Sequence, residues 1–171
     1  MKLKLFFFSI LFATISLSAQ NQSSDMKLKQ VIEDFRTSII EHDSIEKFSN
    51  LFLHDSITWS AIFTNKTKEM ALNKMPDFTF HSTDYRNFYK NLKKNTEEKF
   101  YNVQISKRGD FATISFDYTL SVDSKIQNWG IEYWSLILIN NSWKITSVTW
   151  TMNNEEIEKC PFSSEPIFTL N

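Results

Sequence analysis

The sequence has 171 residues, 42% of them hydrophobic, and its 19 basic and 20 acidic side chains give a net charge of −1. This length suits one domain with a hydrophobic core. The balanced charge argues against nucleic acid as a partner, because phosphate binding needs a clustered positive field.

Glycine content limits the cofactors that the chain can bind. The only glycines are Gly109 and Gly130. The Gly-rich dinucleotide loop, the phosphate-binding P-loop and the nucleophile elbow each need several glycines at fixed spacing. We therefore expect no nucleotide cofactor, and nothing in the sequence indicates another cofactor.

The N-terminal residues have the pattern of a secretory signal peptide. Lys2 and Lys4 precede a mostly apolar run over residues 5–17, and Ala19 offers a small residue for cleavage. The apolar run is shorter than the roughly 20 residues that cross a bilayer. We expect residues 1–19 to be removed and the protein to be exported, periplasmic or secreted, without a stable membrane anchor.

Cysteine and histidine positions bear on disulfides and metals. Cys160 is the only cysteine, so it is either a buried tail residue or a free thiol that could pair between chains. His42, His54 and His81 are scattered over loops and helix caps, without the spacing of a zinc site. We expect no metal centre.

Apolar periodicity predicts the helices and strands. Helix one covers about residues 25–41, a short helix follows a cap at Ser44, and a third helix runs from Ser82 or Thr83 to about Lys94. The strands are predicted over residues 57–63, 99–106, 112–120, 129–139 and 143–151. Strand 99–106 is predicted to place Tyr101, Val103 and Ile105 inward.

These elements predict an α+β domain over residues 20–153, followed by an irregular tail at 154–171. Antiparallel strands need a cover on one face only, and three amphipathic helices provide it. We expect a cone-like, curved, mixed or antiparallel sheet that wraps around the long N-terminal helix, with three helices on one face.

The order of elements resembles the nuclear-transport-factor-two-like superfamily, the cone-shaped fold that includes ketosteroid isomerase and the SnoaL-like cyclases. Three motifs are similar to those of an exported bacterial subgroup labelled lumazine-binding. They are Tyr118, the Gly-Ile-Glu-Tyr-Trp stretch at 130–134, and Trp-Lys-Ile at 143–145 followed by Thr151. The resemblance covers about residues 25–153. The chain departs from it at Asn128-Trp129, where a His-Cys pair is frequent, and at 147–149, where members that catalyse often carry His or Asp.

Glu132 is the candidate catalytic residue. Strand alternation places it on one face with Trp134. If that face lines the cone, burial raises the pKa of Glu132 and suits it to general acid or base work, with Tyr118 as hydrogen-bond donor. Otherwise Glu132 is held by Tyr118, Thr149 or the backbone, or faces water. The predicted pocket residues are Trp59, Tyr118, Glu132, Trp134 and Thr149.

Three functions remain open from the sequence. The first is a non-catalytic binding or accessory domain for a small hydrophobic molecule. The second is a small isomerase or cyclase with Glu132 as base, and the third is a structural interaction module. Trp129 and Tyr133 point to the opposite sheet face, and exposed aromatic patches often form interfaces. We therefore predict a homodimer through that face, as the superfamily resemblance also implies.

Overall fold

The computed structural model describes residues 26–78 and 80–162. The predicted signal peptide at 1–19 lies outside these ranges, so export stays a prediction. Within the two ranges, no helix is long and apolar enough to cross a membrane.

Helices cover part of the sheet in the described chain. They are α1 (residues 26–41), α2 (Ile45–Ser49), α3 (Asn65–Lys74) and α4 (Tyr85–Lys90). The periodicity correctly predicted α1. It also correctly predicted α2, where the side chain of Ser44 accepts a hydrogen bond from the Lys47 amide at 3.2 Å.

Two helix predictions were wrong in detail. Asp84 caps α4, because its carboxylate accepts the Asn87 amide at 2.8 Å, whereas Ser82 lies in a short strand. The third helix also ends earlier than predicted, at Lys90. The polar segment before it forms the ten-residue α3, which buries only Thr67 and Ala71.

Six strands form one mixed sheet in the described residues, as expected for the α+β class. They are β1 (Thr58–Phe63), β2 (His81–Ser82), β3 (Thr96–Arg108), β4 (Phe111–Val122), β5 (Lys125–Ile139) and β6 (Ser142–Asn154). Their order is β2-β1-β6-β5-β4-β3. The meander from β3 to β6 is antiparallel, and β1 joins β6 in parallel. The curved, unclosed sheet and its helices form the expected cone.

Phe35 fixes α1 against the inward face of the sheet. Its ring centroid lies 6.4 Å from Trp59 of β1, 6.3 Å from Phe100 of β3 and 4.6 Å from Trp134 of β5. One helical side chain therefore contacts strands near both sides of the sheet, and these aromatic rings form the centre of the core.

A β-bulge in β3 changes which residues face inward. The pairing of β3 with β4 shifts by one residue between Tyr101 and Gln104. Before the shift, Phe100 faces the core and Tyr101 faces the other side, where it packs 5.6 Å from Phe162. The prediction that Tyr101 points inward was therefore wrong.

Gly130 lets β5 and β6 approach closely. A Cβ atom on this residue would lie 2.0 Å from the carbonyl oxygen of Thr151, so only glycine fits. The Ile131 amide bonds the Thr151 hydroxyl at 2.9 Å, and the Tyr118 hydroxyl donates to the Thr151 carbonyl at 3.1 Å. Tyr118 thus lies beside Gly130, and its hydrogen bond to Thr151 stabilises the close approach of β5 and β6 at this point.

The first residues after β6 return to the outer face of the sheet. The Trp129 indole donates to the Glu158 carbonyl at 2.9 Å, and its ring lies 5.6 Å from Phe162. Trp129 is therefore buried, whereas Tyr133 is 55% exposed. The exposed aromatic patch expected for a dimer is smaller than the sequence suggested, and the homodimer stays a prediction.

Candidate functional site

A cavity of about 330 Å³ lies between the inward sheet face, α1 and α4. Its walls are mainly apolar and aromatic, formed by Phe35, Trp59, Phe88, Leu92, Leu120 and Trp150. Three exposed polar residues, His81, Asn87 and Asn91, mark its opening. The cavity is an apolar space whose polar groups are few, as in small-molecule sites.

Two glutamates from different strands line this cavity, and we call them the carboxyl pair: Glu98 of β3 and Glu132 of β5. They are 4% and 5% exposed. Tyr118 of β4, the strand between them, lines the same space. The alternation predicted for β5 is thus confirmed, since Glu132 points inward with Trp134.

Burial changes the acidity of the carboxyl pair. It raises the pKa of Glu132 from 4.5 to about 7, while the hydrogen bond from Trp134 acts in the opposite direction. Burial, and then the negative charge of Glu132, raise the pKa of Glu98 well above its usual range. The two carboxyls interact, so protons leave them as from a pair.

Trp134 supports Glu132 from the core and does not line the cavity, contrary to the prediction. Its indole nitrogen donates to Glu132 Oε1 at 2.5 Å. The Trp134 ring is buried against Phe35 and Phe116, at 4.6 and 5.1 Å between centroids. The sequence had named Tyr118, Thr149 or the backbone as structural partners of Glu132; the partner found is this indole.

Tyr118 lines the cavity as predicted, but its hydroxyl proton is engaged. It donates to the Thr151 carbonyl oxygen at 3.1 Å. Burial, followed by the charges of Glu132 and Glu98, raises the pKa of Tyr118 well above its usual range. The phenol therefore stays neutral and serves the backbone contact described above.

Two buried polar atoms of cavity-lining residues have no hydrogen-bond partner among the described residues. They are Glu98 Oε2, an acceptor, and Trp59 Nε1, a donor. Buried polar atoms in folded proteins are nearly always paired, and exceptions often mark functional sites. Both atoms belong to residues that a molecule in the cavity would contact.

Thr149 does not belong to this site. It is exposed on the outer sheet face, where it pairs with Tyr133 and Ser60. Val148 is buried and Trp150 lines the cavity, so strand alternation turns Thr149 away from it. Of the predicted pocket residues, the structure brings together Trp59, Tyr118 and Glu132, and leaves out Trp134 and Thr149.

The sequence did not single out Glu98. The second strand was predicted from residue 99, so residues 96–98 fell outside it. The structure starts β3 at Thr96. A usable signal was present: Phe100 is aromatic, and alternation from it places Glu98 on the same face.

A metal site would need several histidine, cysteine or acidic side chains close together. Within residues 26–78 and 80–162, no group of three such side chains could hold a metal ion. The His42 ring bonds the Tyr89 carbonyl at 2.9 Å, and the His54 ring accepts the Ser56 amide at 3.1 Å. Cys160 is a half-buried free thiol.

A larger groove of about 660 Å³ lies between α1, α2 and the turn that joins β5 to β6. Polar side chains dominate it, and several bond to each other or to the backbone. Lys27 donates to the Asn141 side chain at 2.6 Å, and Lys144 donates to the Asn50 carbonyl. The groove holds no buried ionisable group comparable to the carboxyl pair.

Comparison with known proteins identifies the fold. No protein-family model and no curated protein matches the sequence. Three solved structures from bacteria resemble the chain. An NTF2-like protein with a cystatin-like fold from Novosphingobium aromaticivorans has a TM-score of 0.55 and 10% identity, over 81% of this chain and 87% of that one.

The other two structures support the same assignment. A candidate dehydratase of the NTF2-like family from Streptomyces avermitilis has a TM-score of 0.54 and 15% identity, over 77% and 96% of the two chains. A cystatin-like-fold protein of unknown function from Nostoc punctiforme has a TM-score of 0.52 and 14% identity, over 75% and 90%. The chain has the NTF2-like, cystatin-like fold, as the sequence resemblance implied.

Proposed function

We propose that this NTF2-like domain binds one small, mostly apolar molecule in the cavity, with a polar end at the carboxyl pair. One observation carries the proposal: a mainly apolar and aromatic cavity is lined by two buried carboxyl side chains, Glu98 and Glu132, that come from different strands. A bound molecule with an apolar body and a polar end would complement both features.

The dimensions of the cavity agree with this function. Its volume of about 330 Å³ falls at the lower end of the range for small-molecule sites, roughly 300–1,000 Å³. A filled core would have favoured the interaction module considered from the sequence. The cavity instead supports the binding domain, and its size limits the molecule to about three rings.

A neutral apolar fluorophore, N-phenyl-1-naphthylamine, tests the proposal directly. We expect saturable fluorescence enhancement with one site per chain, because the aromatic walls exclude water from the dye. Leu120→Trp places a bulky ring in the cavity and should weaken dye binding at least about tenfold by overfilling it.

Ile62→Trp is the matched control, because Ile62 is 48% exposed and lies on the outer face of β1. This variant should bind the dye as the wild type does. Dye binding that is not saturable, or equal loss in both variants, would contradict a binding site in the cavity. Native mass spectrometry of the purified protein would then reveal any co-purified molecule.

A second candidate function is proton transfer on a small ketone, favoured by the two buried carboxyls at one cavity. With its pKa near 7, Glu132 can be ionised at neutral pH and act as a base. Burial raises the pKa of Glu98 well above its usual range, so its protonated form can donate a hydrogen bond. Because the Tyr118 proton is engaged, Glu98 takes the donor role that the sequence gave to Tyr118.

Cyclohex-3-en-1-one is a suitable probe for this candidate. Glu132 would take a proton from the carbon between the carbonyl and the double bond, Glu98 would stabilise the dienolate oxygen, and Glu132 would return the proton to the γ carbon. The product, cyclohex-2-en-1-one, is followed by its ultraviolet absorbance. Glu132→Gln should slow the reaction at least about 100-fold, whereas Asp117→Asn on β4 should not. A wild-type rate equal to that in buffer would exclude this candidate and leave the binding proposal intact.

A further inference from the structure

The buried charged groups that line the cavity are both acidic. Its titratable lining groups are Glu98 of β3, Tyr118 of β4, Glu132 of β5 and His81 of β2 at the opening. The lining residues from α1, α4, β1 and β6 have no titratable side chain, and no Lys or Arg among the described residues lines the cavity. Two buried carboxyls therefore face one space without a balancing Lys or Arg from the described part of the chain.

Ion pairs elsewhere in the described chain do not involve either carboxyl. The nearest acidic neighbour in sequence, Glu97, pairs with Lys99 at 3.7 Å and does not line the cavity. Glu132 has one indole hydrogen bond, and Glu98 Oε2 has none. A buried carboxylate without a cation or donors is costly, so the charge that would complement this pair is positive.

Aromatic rings that line the same cavity also suit a cation. The Trp59 ring lies 5.7 Å from Trp150 and 5.2 Å from Phe88, between centroids, and all three line the cavity. Their ring faces carry partial negative charge and attract organic cations, most strongly at tryptophan. Aromatic walls and paired carboxyls recur in sites that recognise amines, whereas a metal ion would gain little from the rings.

We infer that the molecule bound in the cavity is a small organic amine, whose ammonium group lies at the carboxyl pair and whose apolar body packs against Trp59, Phe88 and Trp150. The ammonium group donates hydrogen bonds to the carboxyl pair. This inference rests on the proposed binding function and specifies the chemical class of the ligand.

Displacement of N-phenyl-1-naphthylamine by two near-isosteric probes tests the inference. 2-Phenylethylamine carries an ammonium group where 2-phenylethanol carries a hydroxyl, and the two are otherwise alike. We expect the amine to displace the dye at a concentration at least about tenfold lower than the alcohol, at about pH 8, because charge-assisted hydrogen bonds are stronger than neutral ones.

Variants assign the effect to the carboxyl pair. Glu98→Gln and Glu132→Gln keep the side-chain shape and remove the charge. Each should weaken amine binding about tenfold and leave alcohol binding within about twofold. Glu97→Gln, next to Glu98 but outside the cavity, should change neither.

The pH dependence of the wild type gives a test that needs no variant. Between about pH 6 and about pH 8 the amine stays protonated, while Glu132, whose pKa is raised to about 7, loses its proton. Amine affinity should therefore rise over this range and alcohol affinity should not. If the dye does not bind, the proposed function fails. If the dye binds but the amine is no tighter than the alcohol, or its affinity does not rise with pH, the amine inference is overturned alone.

Discussion

Burial determines the chemistry of the carboxyl pair. Glu98 and Glu132 are each at least 95% buried and lack a cation, an arrangement that lowers the stability of the folded protein. Residues that cost stability are commonly kept because a site needs them. The free energy of unfolding should therefore report the protonation of this pair.

Stability should fall as the pH rises through the pKa range of Glu132. Its pKa is raised from 4.5 to about 7 on folding, so the folded state holds the proton more tightly. The contribution is fully present below about pH 4.5 and is lost by about pH 7, a difference of about 3 kcal/mol. Urea unfolding of the wild type at a series of pH values measures it.

Glu132→Gln provides the reference, because glutamine does not titrate. The unfolding free energy of the wild type minus that of the variant should decrease over this range. Carboxylates elsewhere, such as the exposed Asp55, contribute equally to both proteins, so their contributions cancel in this difference. A pH-independent difference would show that Glu132 does not carry a raised pKa.

The residue scale also shows what sequence pattern can and cannot determine. Alternation over Gly130, Glu132 and Trp134 gave the correct face of β5. The same rule failed in β3, because the bulge after Tyr101 adds one residue. Phe100 faces inward before the bulge, and Val103 faces inward after it. Bulges depend on the partner strand, so the sequence of β3 alone did not place Glu98 in the cavity.

At the element scale, the close approach of β5 to β6 depends on one residue, Gly130. We expect Gly130→Ala to lower the unfolding free energy by about 3 kcal/mol, because its Cβ would meet a backbone oxygen that cannot move without distorting β6. Chemical denaturation of the purified variant checks this value.

Gly109→Ala is the comparison within the same chain. Gly109 has a φ of +61° and open space around its Cβ position, so alanine there costs only the left-handed backbone preference, about 1 kcal/mol. Equal losses for the two glycines would mean that the contact between Gly130 and Thr151 is looser than the structure shows.

Elements with strong local patterns were predictable, and weakly patterned ones were not. α1 follows an apolar period of 3.6 residues, and β4, β5 and β6 follow a period of 2 residues. α3 buries only Thr67 and Ala71, and β2 has two exposed residues, so neither has an amphipathic pattern to detect.

At the scale of the whole molecule, the sheet is completed by contacts between distant parts of the chain. β1 pairs in parallel with β6, from Thr58 with Ser147 to Phe63 with Met152. The apolar periodicity within one segment cannot predict a pairing between two distant segments. It brings Trp59 next to Trp150 and so builds one wall of the cavity.

The segment after β6 adds a second distant contact, which a double-mutant cycle can measure. Trp129→Ala and Phe162→Ala, alone and together, should give a coupling energy of about 1 kcal/mol in urea unfolding, typical of an aromatic pair. Tyr101→Ala with Phe162→Ala tests the neighbouring contact. Additive losses in both cycles would mean that this segment does not pack on the sheet in solution.

Because of the hydrogen bond from Trp134 to Glu132, the fluorescence of Trp134 should report the charge of the site. An excited indole shifts electron density from its pyrrole ring toward its benzene ring, so a negative charge beside Nε1 lowers the energy of the excited state. When Glu132 loses its proton, the emission of Trp134 should move to longer wavelength, and it should return when a bound ammonium group neutralises the carboxylate. The protein therefore contains its own reporter of charge in the cavity, without any attached dye.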